Sequence, residues 1–234
     1  MDSKNYVLVG GSTGIGFSLA KKLSENGHQV TVFSRHKGDL DALKGIKHVP
    51  FDVQKDELPS DQIPDELHGF AYLPGSINLK PFRSLKAEDF RMDFEINVLG
   101  AVKSLSKVEK ALRKNPGSSI ILFSTVAVGQ GMPYHSSVAA SKGAIEGMVR
   151  SLAAEWAPVV RVNAIAPSLT DTPLASRLLS TEERREQSAE RHPLKRVGSP
   201  DDIAAMASFL LSEESSWISG QIIGVDGGMA ALRI

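Results

Sequence analysis

The feature that most restricts this chain is the run Gly10-Gly11-Ser12-Thr13-Gly14-Ile15-Gly16. It follows directly on the apolar Tyr6-Val7-Leu8-Val9 and opens a segment, residues 14–26, whose Ile15, Leu19, Ala20 and Leu23 recur at helical spacing until Asn26-Gly27 stops it. A strand, a glycine turn and a helix in that order form a phosphate-binding unit. Glycines let the backbone turn tightly and approach a pyrophosphate, and the helix start offers free N–H groups at the positive end of its dipole. Gly10, Ser12, Thr13, Gly14, Ile15 and Gly16 are therefore expected to cradle a dinucleotide.

The same alternation continues. Strands are expected at Gln29–Phe33, within His48–Val53, and at Gly69–Leu73, Ser119–Ser124, Val160–Ile165 and Gln221–Val225. Long amphipathic helices are expected over Ala87–Arg113 and Ser137–Trp156. Strands alternating with helices imply βαβ units, right-handed crossovers and helices on both faces of a parallel sheet. The expected fold is thus α/β, a Rossmann-type doubly wound parallel sheet in three layers. No linker divides residues 1–234, so one domain is expected. Within it, the charge-rich stretch 170–196 reads as two solvated helices or as a lid over a site.

Composition narrows the partners. Lys+Arg and Asp+Glu are both 27, which gives no reason to expect nucleic acid or an anionic membrane. The absence of cysteine excludes disulfides, thiol catalysis and thiolate metal sites. His28, His36, His48, His68 and His192 are dispersed without ligand spacing, so no metal is expected. Arg184-Arg185 is offset by Glu182, Glu183 and Glu186. Ser199-Pro200-Asp201-Asp202 reads as a helix start. Strand-like residues begin close to Met1, and no apolar run nears the ~20 residues of a membrane span, so no leader and a cytoplasmic location are expected.

The end of the second strand meets the adenosine ribose in this architecture, and an acidic residue there would accept from the 2′-hydroxyl of NAD. This chain has Ser34-Arg35-His36-Lys37. Cations without a carboxylate favour a 2′-phosphate, hence NADP(H) over NAD(H).

Taken together, these motifs resemble the short-chain dehydrogenase/reductase family over almost the whole chain. The resemblance rests on the GxxxGxG loop, Asp52-Val53, Asn97 in Ile96-Asn97-Val98-Leu99-Gly100 and Ser141-Lys142. It rests also on Arg161-Val162-Asn163-Ala164-Ile165-Ala166-Pro167, Gly198-Ser199-Pro200-Asp201-Asp202 and Val225-Asp226-Gly227-Gly228. It implies adenine contact at Asp52 and Val53, cofactor contact at Gly75, Pro167 and Thr172, and a water held by Asn97. It also implies that Lys142 holds the nicotinamide ribose. Tyr72-Leu73-Pro74-Gly75 departs from the family's LxNNAG. The family further implies a homo-oligomer, dimer or tetramer, packed through helices 87–113 and 137–156.

The family's proton donor is a Tyr four residues before the Lys, with a Ser thirteen before that Tyr. Here those positions are Val138 and Thr125. Thr125 keeps a hydroxyl donor, whereas Val138 has no proton to give. Tyr134 and His135 lie eight and seven residues before Lys142. If the helix reached back to them they would stand about two turns away, roughly 10–12 Å. Pro133-Tyr134-His135 resembles the enoyl-thioester reductase branch, with His135 where that branch has its Tyr. The expected function is an NADP(H)-dependent reductase of a small carbonyl or conjugated enoyl substrate, with Asn97, Thr125, Lys142 and Tyr134 or His135 as its catalytic group. The alternative is a dinucleotide-binding protein without catalysis.

Overall fold

Alternate residues of the first strand, β1 (Asn5–Val9), enter two separate cores: Tyr6 and Leu8 pack on one side of the sheet, Val7 and Val9 on the other. Because both faces are covered, its apolar run is continuous rather than alternating. The computed structural model describes residues 3–233. Strand β1 is joined in one parallel sheet by β2 (Gln29–Ser34), β3 (Ile46–Pro50), β4 (Gly69–Tyr72), β5 (Ser118–Phe123), β6 (Val160–Pro167) and β7 (Ile222–Val225). The order is β3-β2-β1-β4-β5-β6-β7, with seven strands. Val9 pairs with Phe33 on one side and with Tyr72 on the other. The order therefore reverses between β1 and β4, which opens a crevice at the carboxyl ends of the strands.

The helices α1 (Gly14–Glu25) and α7 (Pro200–Leu211) cover one face, where Leu19, Ala20 and Leu23 meet Ile203, Ala207 and Leu210. The other face carries α2 (Ala87–Phe94), α3 (Gly100–Arg113) and α5 (Ser136–Trp156), through residues such as Leu105, Leu112, Ile145 and Val149. Two short helices complete the fold, α4 (Val126–Gln130) and α6 (Glu182–Glu190). Ser199 caps α7, and Asp202 returns the bond to the Ser199 N–H, so the expected helix start stands. The Asp202 carboxyl is held well below the usual range by the Arg196 guanidinium.

The expected unbroken helix over Ala87–Arg113 is corrected by a wide π turn at Glu95–Leu99 between α2 and α3. Gly100 N–H bonds the Glu95 carbonyl five residues back, while the Tyr72 hydroxyl donates to the Ile96 carbonyl at 2.5 Å. Gly100 is what allows this, since a Cβ there would collide with the Tyr72 oxygen. The apolar periodicity is blind to such a turn, because the hydroxyl that supports it comes from another strand.

Arg161 and Asn163 have structural roles. The buried Arg161 guanidinium donates to the Leu210, Ser212, Ser215 and Ile218 carbonyls, and Asn163 bonds Ile218 and Gln221. Together they fasten β6 to the chain that leads into β7.

Candidate functional site

A cavity of about 940 Å³ follows the carboxyl edge of the sheet. The loop Gly10–Gly16 forms one wall. Gly10 and Gly14 have φ of 85° and 52°, a left-handed backbone that other residues adopt at a cost. A Cβ on Gly16 would strike the Gly10 carbonyl oxygen. The loop is therefore bare backbone opening onto the start of α1, which a pyrophosphate requires.

Ser34, Arg35, Asp52, Val53, Gly75, Pro167 and Thr172 all line the same cavity, as do Thr125, His135 and Lys142. Arg35 is exposed and makes no ion pair among the described residues, unlike Lys37, which pairs with Asp41. Asp52 accepts from the Gln54 N–H at 3.1 Å.

Lys142 is 8 % exposed. Burial lowers its pKa to about 8, and the charge of Asp93 partly offsets this. Among the described residues its Nζ makes neither hydrogen bond nor ion pair, and a Cβ on Gly75 would lie 3.7 Å from it. That Cβ would lie 3.6 Å from Asn97 Oδ1, a buried acceptor that is likewise unpartnered. Asn97 does not line the cavity. Its amide donates to Ser76 at 2.9 Å, the Asp93 carbonyl at 2.7 Å and Ser141 at 3.2 Å. Sequence reasoning missed Asp93, a buried carboxylate that receives the Ser76 hydroxyl at 2.7 Å.

Thr125 caps α4 and accepts from the Ala127 N–H at 3.3 Å, so its own proton is left to donate into the cavity. Val138, buried, lines the cavity where the family resemblance places a Tyr. The two proton candidates separate. Tyr134 stands outside the cavity lining, 57 % exposed, with a left-handed φ of 70° that breaks the helical register. Helix α5 begins only at Ser136, so it does not reach back to Tyr134 or His135. His135 sits at the helix start and lines the cavity, its Nδ1 donating to the Pro133 carbonyl at 2.7 Å.

A second pair went unnoticed in the sequence. His192, 3 % exposed, donates from Nδ1 to the Ser188 carbonyl at 2.7 Å, and its Nε2 lies within hydrogen-bond distance of the Ser168 hydroxyl, 2.8 Å away. A carbonyl can only accept, so Nδ1 carries a proton. Ser168 and His192 are 24 residues apart, and no local signal joins them.

These residues fit a nicotinamide dinucleotide. A glycine cradle lies at one end of the cavity and the Lys142 ammonium, without a partner among the described residues, at the other, with the unpartnered Asn97 Oδ1 near it but off the lining. The sheet order and the loop at its reversal point define a Rossmann-type protein. A family model described as Enoyl-(Acyl carrier protein) reductase matches residues 9–230. The 3-oxoacyl-[acyl-carrier-protein] reductase MabA of Mycobacterium tuberculosis is 34 % identical over 97 % of this chain and 93 % of its own. A probable 2,4-dienoyl-CoA reductase of Bacillus subtilis is 32 % identical over 97 % of both chains. The structure of a short-chain type dehydrogenase/reductase from Mycobacterium ulcerans superposes with a TM-score of 0.90 at 29 % identity, over 100 % of this chain and 92 % of that one. The chain belongs to the short-chain dehydrogenase/reductase family.

Proposed function

We propose that this protein is an NADP(H)-dependent reductase of a small carbonyl or conjugated enoyl substrate. The observation that carries the reading is Lys142, a buried ammonium without a partner among the described residues, in the same cavity as the glycine loop and the Thr125 hydroxyl. Such a charge costs stability unless something else meets it. When bound, NADPH supplies a hydride from its nicotinamide ring.

The chain's residues do the rest. The loop Gly10–Gly16, with Ser12, Thr13 and Ile15, holds the pyrophosphate at the start of α1. Asp52 and Val53 position the adenine, and Gly75 contacts the cofactor beside Lys142. Lys142 donates to the nicotinamide ribose hydroxyls, with Asn97 behind it. Pro167 and Thr172 orient the carboxamide. Thr125 donates to the substrate oxygen, which draws charge from the carbon that must accept hydride. His135, its Nδ1–H held by the Pro133 carbonyl, gives a proton from Nε2 when the ring carries both, or passes one from water through Nε2. Val138 leaves apolar space beside Lys142. Segment 170–196 closes over the substrate. Copies of the chain associate through α2, α3 and α5, a reading supported by the exposed Met92, Phe94 and Val102. Light scattering is expected to give a dimer or tetramer.

Arg35 bears on cofactor choice. A guanidinium meeting a 2′-phosphate forms a charge-assisted bond. NADPH is therefore expected to bind at least about tenfold more tightly than NADH, and Arg35→Ala to erase most of the difference. Calorimetric titration with both cofactors checks this. Equal affinities in the unaltered protein would overturn it.

The reaction is tested by NADPH oxidation against panels of ketones and enoyl thioesters. The parent is expected to turn over one class, His135→Ala to lower that rate about 100-fold, and Tyr134→Phe to leave it alone. Val138→Tyr is expected to depress the native activity, because the phenol fills substrate space, while ketone reduction rises beside Lys142. A parent that binds NADPH yet reduces nothing in either panel would favour the alternative of a dinucleotide-binding protein without catalysis. Val138, with no ionisable group, is the residue that keeps that alternative open.

A further inference from the structure

Helix α6 buries none of its residues, yet it borders the cavity. Arg184, Gln187, Ser188 and Arg191 line the wall, and their i, i+3, i+4, i+7 spacing places them on one helical face. Glu182 and Glu186 fall on the opposite side of the helix and Glu183 and Glu190 on its flank, where Glu183 accepts from the Gln187 amide at 3.2 Å; none of the four lines the cavity. The cavity face of the helix therefore carries Arg184 and Arg191 and no carboxylate.

Two ties hold that face in place. Arg185 grips Asp171 through two bonds, 2.6 and 3.3 Å. At the other end, His192 joins the Ser188 carbonyl to Ser168 after β6. The inward arginines are not used up by the protein. Neither forms an ion pair among the described residues, despite four glutamates on or beside the same turns. Arg184 donates from Nη1 to the Arg177 carbonyl and the Ser180 hydroxyl at 3.1 and 2.8 Å, which orients its fork and leaves its other N–H groups free. Arg191 is exposed toward the cavity without a partner.

Charge around the cavity departs from that of the chain. Lys+Arg and Asp+Glu balance overall. On the wall, Arg35, Lys142, Arg184 and Arg191 face a single carboxylate, Asp52. Under the reading above, Arg35 and Lys142 serve the cofactor. The α6 pair remains, with the apolar Met132, Val138 and Leu178 also on the wall.

We propose that Arg184 and Arg191 bind an anionic group of the substrate, a carboxylate or a phosphate, with Gln187 and Ser188 supplying neutral donors between them. The substrate is then a carbonyl or enoyl compound that carries a fixed negative charge beyond an apolar stretch. This rests on the reductase reading. The anion has two possible sources, the carboxylate of a small organic acid or the phosphates of a coenzyme A thioester.

The test compares matched probes in the parent, Arg184→Gln, Arg191→Gln and the double variant. One pair is a series of oxoacids and their methyl esters; the other is an enoyl-CoA and the same enoyl thioester of N-acetylcysteamine. In the double variant the ratio of kcat/KM for the charged over the uncharged probe is expected to fall about 10- to 100-fold, mainly through KM. In the parent, KM for the charged probe is expected to rise with salt. A fall confined to the oxoacid pair assigns a carboxylate, and one confined to the thioester pair assigns a phosphate. An unchanged ratio in both pairs overturns the proposal and leaves the reductase reading standing. Calorimetric binding of the charged probes to the protein–NADPH complex separates the two further. Tenfold weaker binding in the double variant supports the anion site even if the parent turns nothing over. Undiminished binding, or no binding of any charged probe to the parent, overturns it. Unaltered NADPH affinity in each variant shows that the fold is intact.

Discussion

Lys142→Met is expected to melt at a higher temperature than the parent and to be about 1,000-fold less active or worse. Both effects follow from the same buried ammonium. Its pKa is lowered from 10.5 to about 8, chiefly by burial. Between those values the unfolded chain binds more protons than the folded one, so stability rises with pH across that window. Below about pH 8 the destabilisation is fully present, on the order of 3 kcal/mol for such a lowering. Methionine keeps the length of the side chain without the charge. At pH 7, in the absence of cofactor, the variant should gain on the order of 5 °C or more. That gain should shrink as the pH approaches 10.5. NADPH, whose ribose hydroxyls would meet Lys142, should in turn raise the melting temperature of the parent more than that of the variant. Calorimetry over pH 6.5–10.5, with and without NADPH, checks each part. A variant less stable than the parent at pH 7 would show that Lys142 is a structural residue with a partner of its own, and would remove the main support for the proposed function.

The second large effect is in the glycine loop. Gly14 lies at φ 52°, and a Cβ there would sit 3.2 Å from the Thr172 methyl carbon. Gly14→Val places a β-branched residue in left-handed backbone, crowds the pyrophosphate path and presses on Thr172. Loss of NADPH affinity by 100-fold or more is expected, with a circular dichroism spectrum close to the parent's, because Gly14 itself contributes to neither core. Gly16→Ala should be worse for the fold, since its Cβ meets the Gly10 carbonyl and α1 must shift to make room. Normal NADPH affinity in Gly14→Val would place the cofactor elsewhere.

Alternation of strand and helix patterns was enough for the doubly wound sheet, because apolar periodicity records which faces are covered. The glycine loop was legible for a similar reason: its constraint is local, and strand, turn and helix are neighbours in the chain. The residues expected to hold the cofactor, from Gly10 to Thr172, all line one cavity. Positions fixed by long-range contact were not legible. Tyr134 and His135 are adjacent, yet a single left-handed residue sends one to solvent and the other to the cavity. The stretch Ala87–Arg113 reads as one helix until the Tyr72 hydroxyl, from β4, supports a π turn within it.

The arginines of α6 mark the boundary between the two kinds of information. In the sequence, Arg184 and Arg185 sit among glutamates and cancel against them, so the segment reads as a solvated helix. Net charge is a sum, and a sum carries no direction. The direction comes from Asp171 holding Arg185 and Ser168 holding His192, contacts that span 14 and 24 residues. Local pattern determined the sheet, its covering helices and the phosphate loop, because each depends on near neighbours and solvent exposure. Only the tertiary structure decided which side chains face the cavity and which charges lack a partner there, because that depends on where distant segments pin each helix.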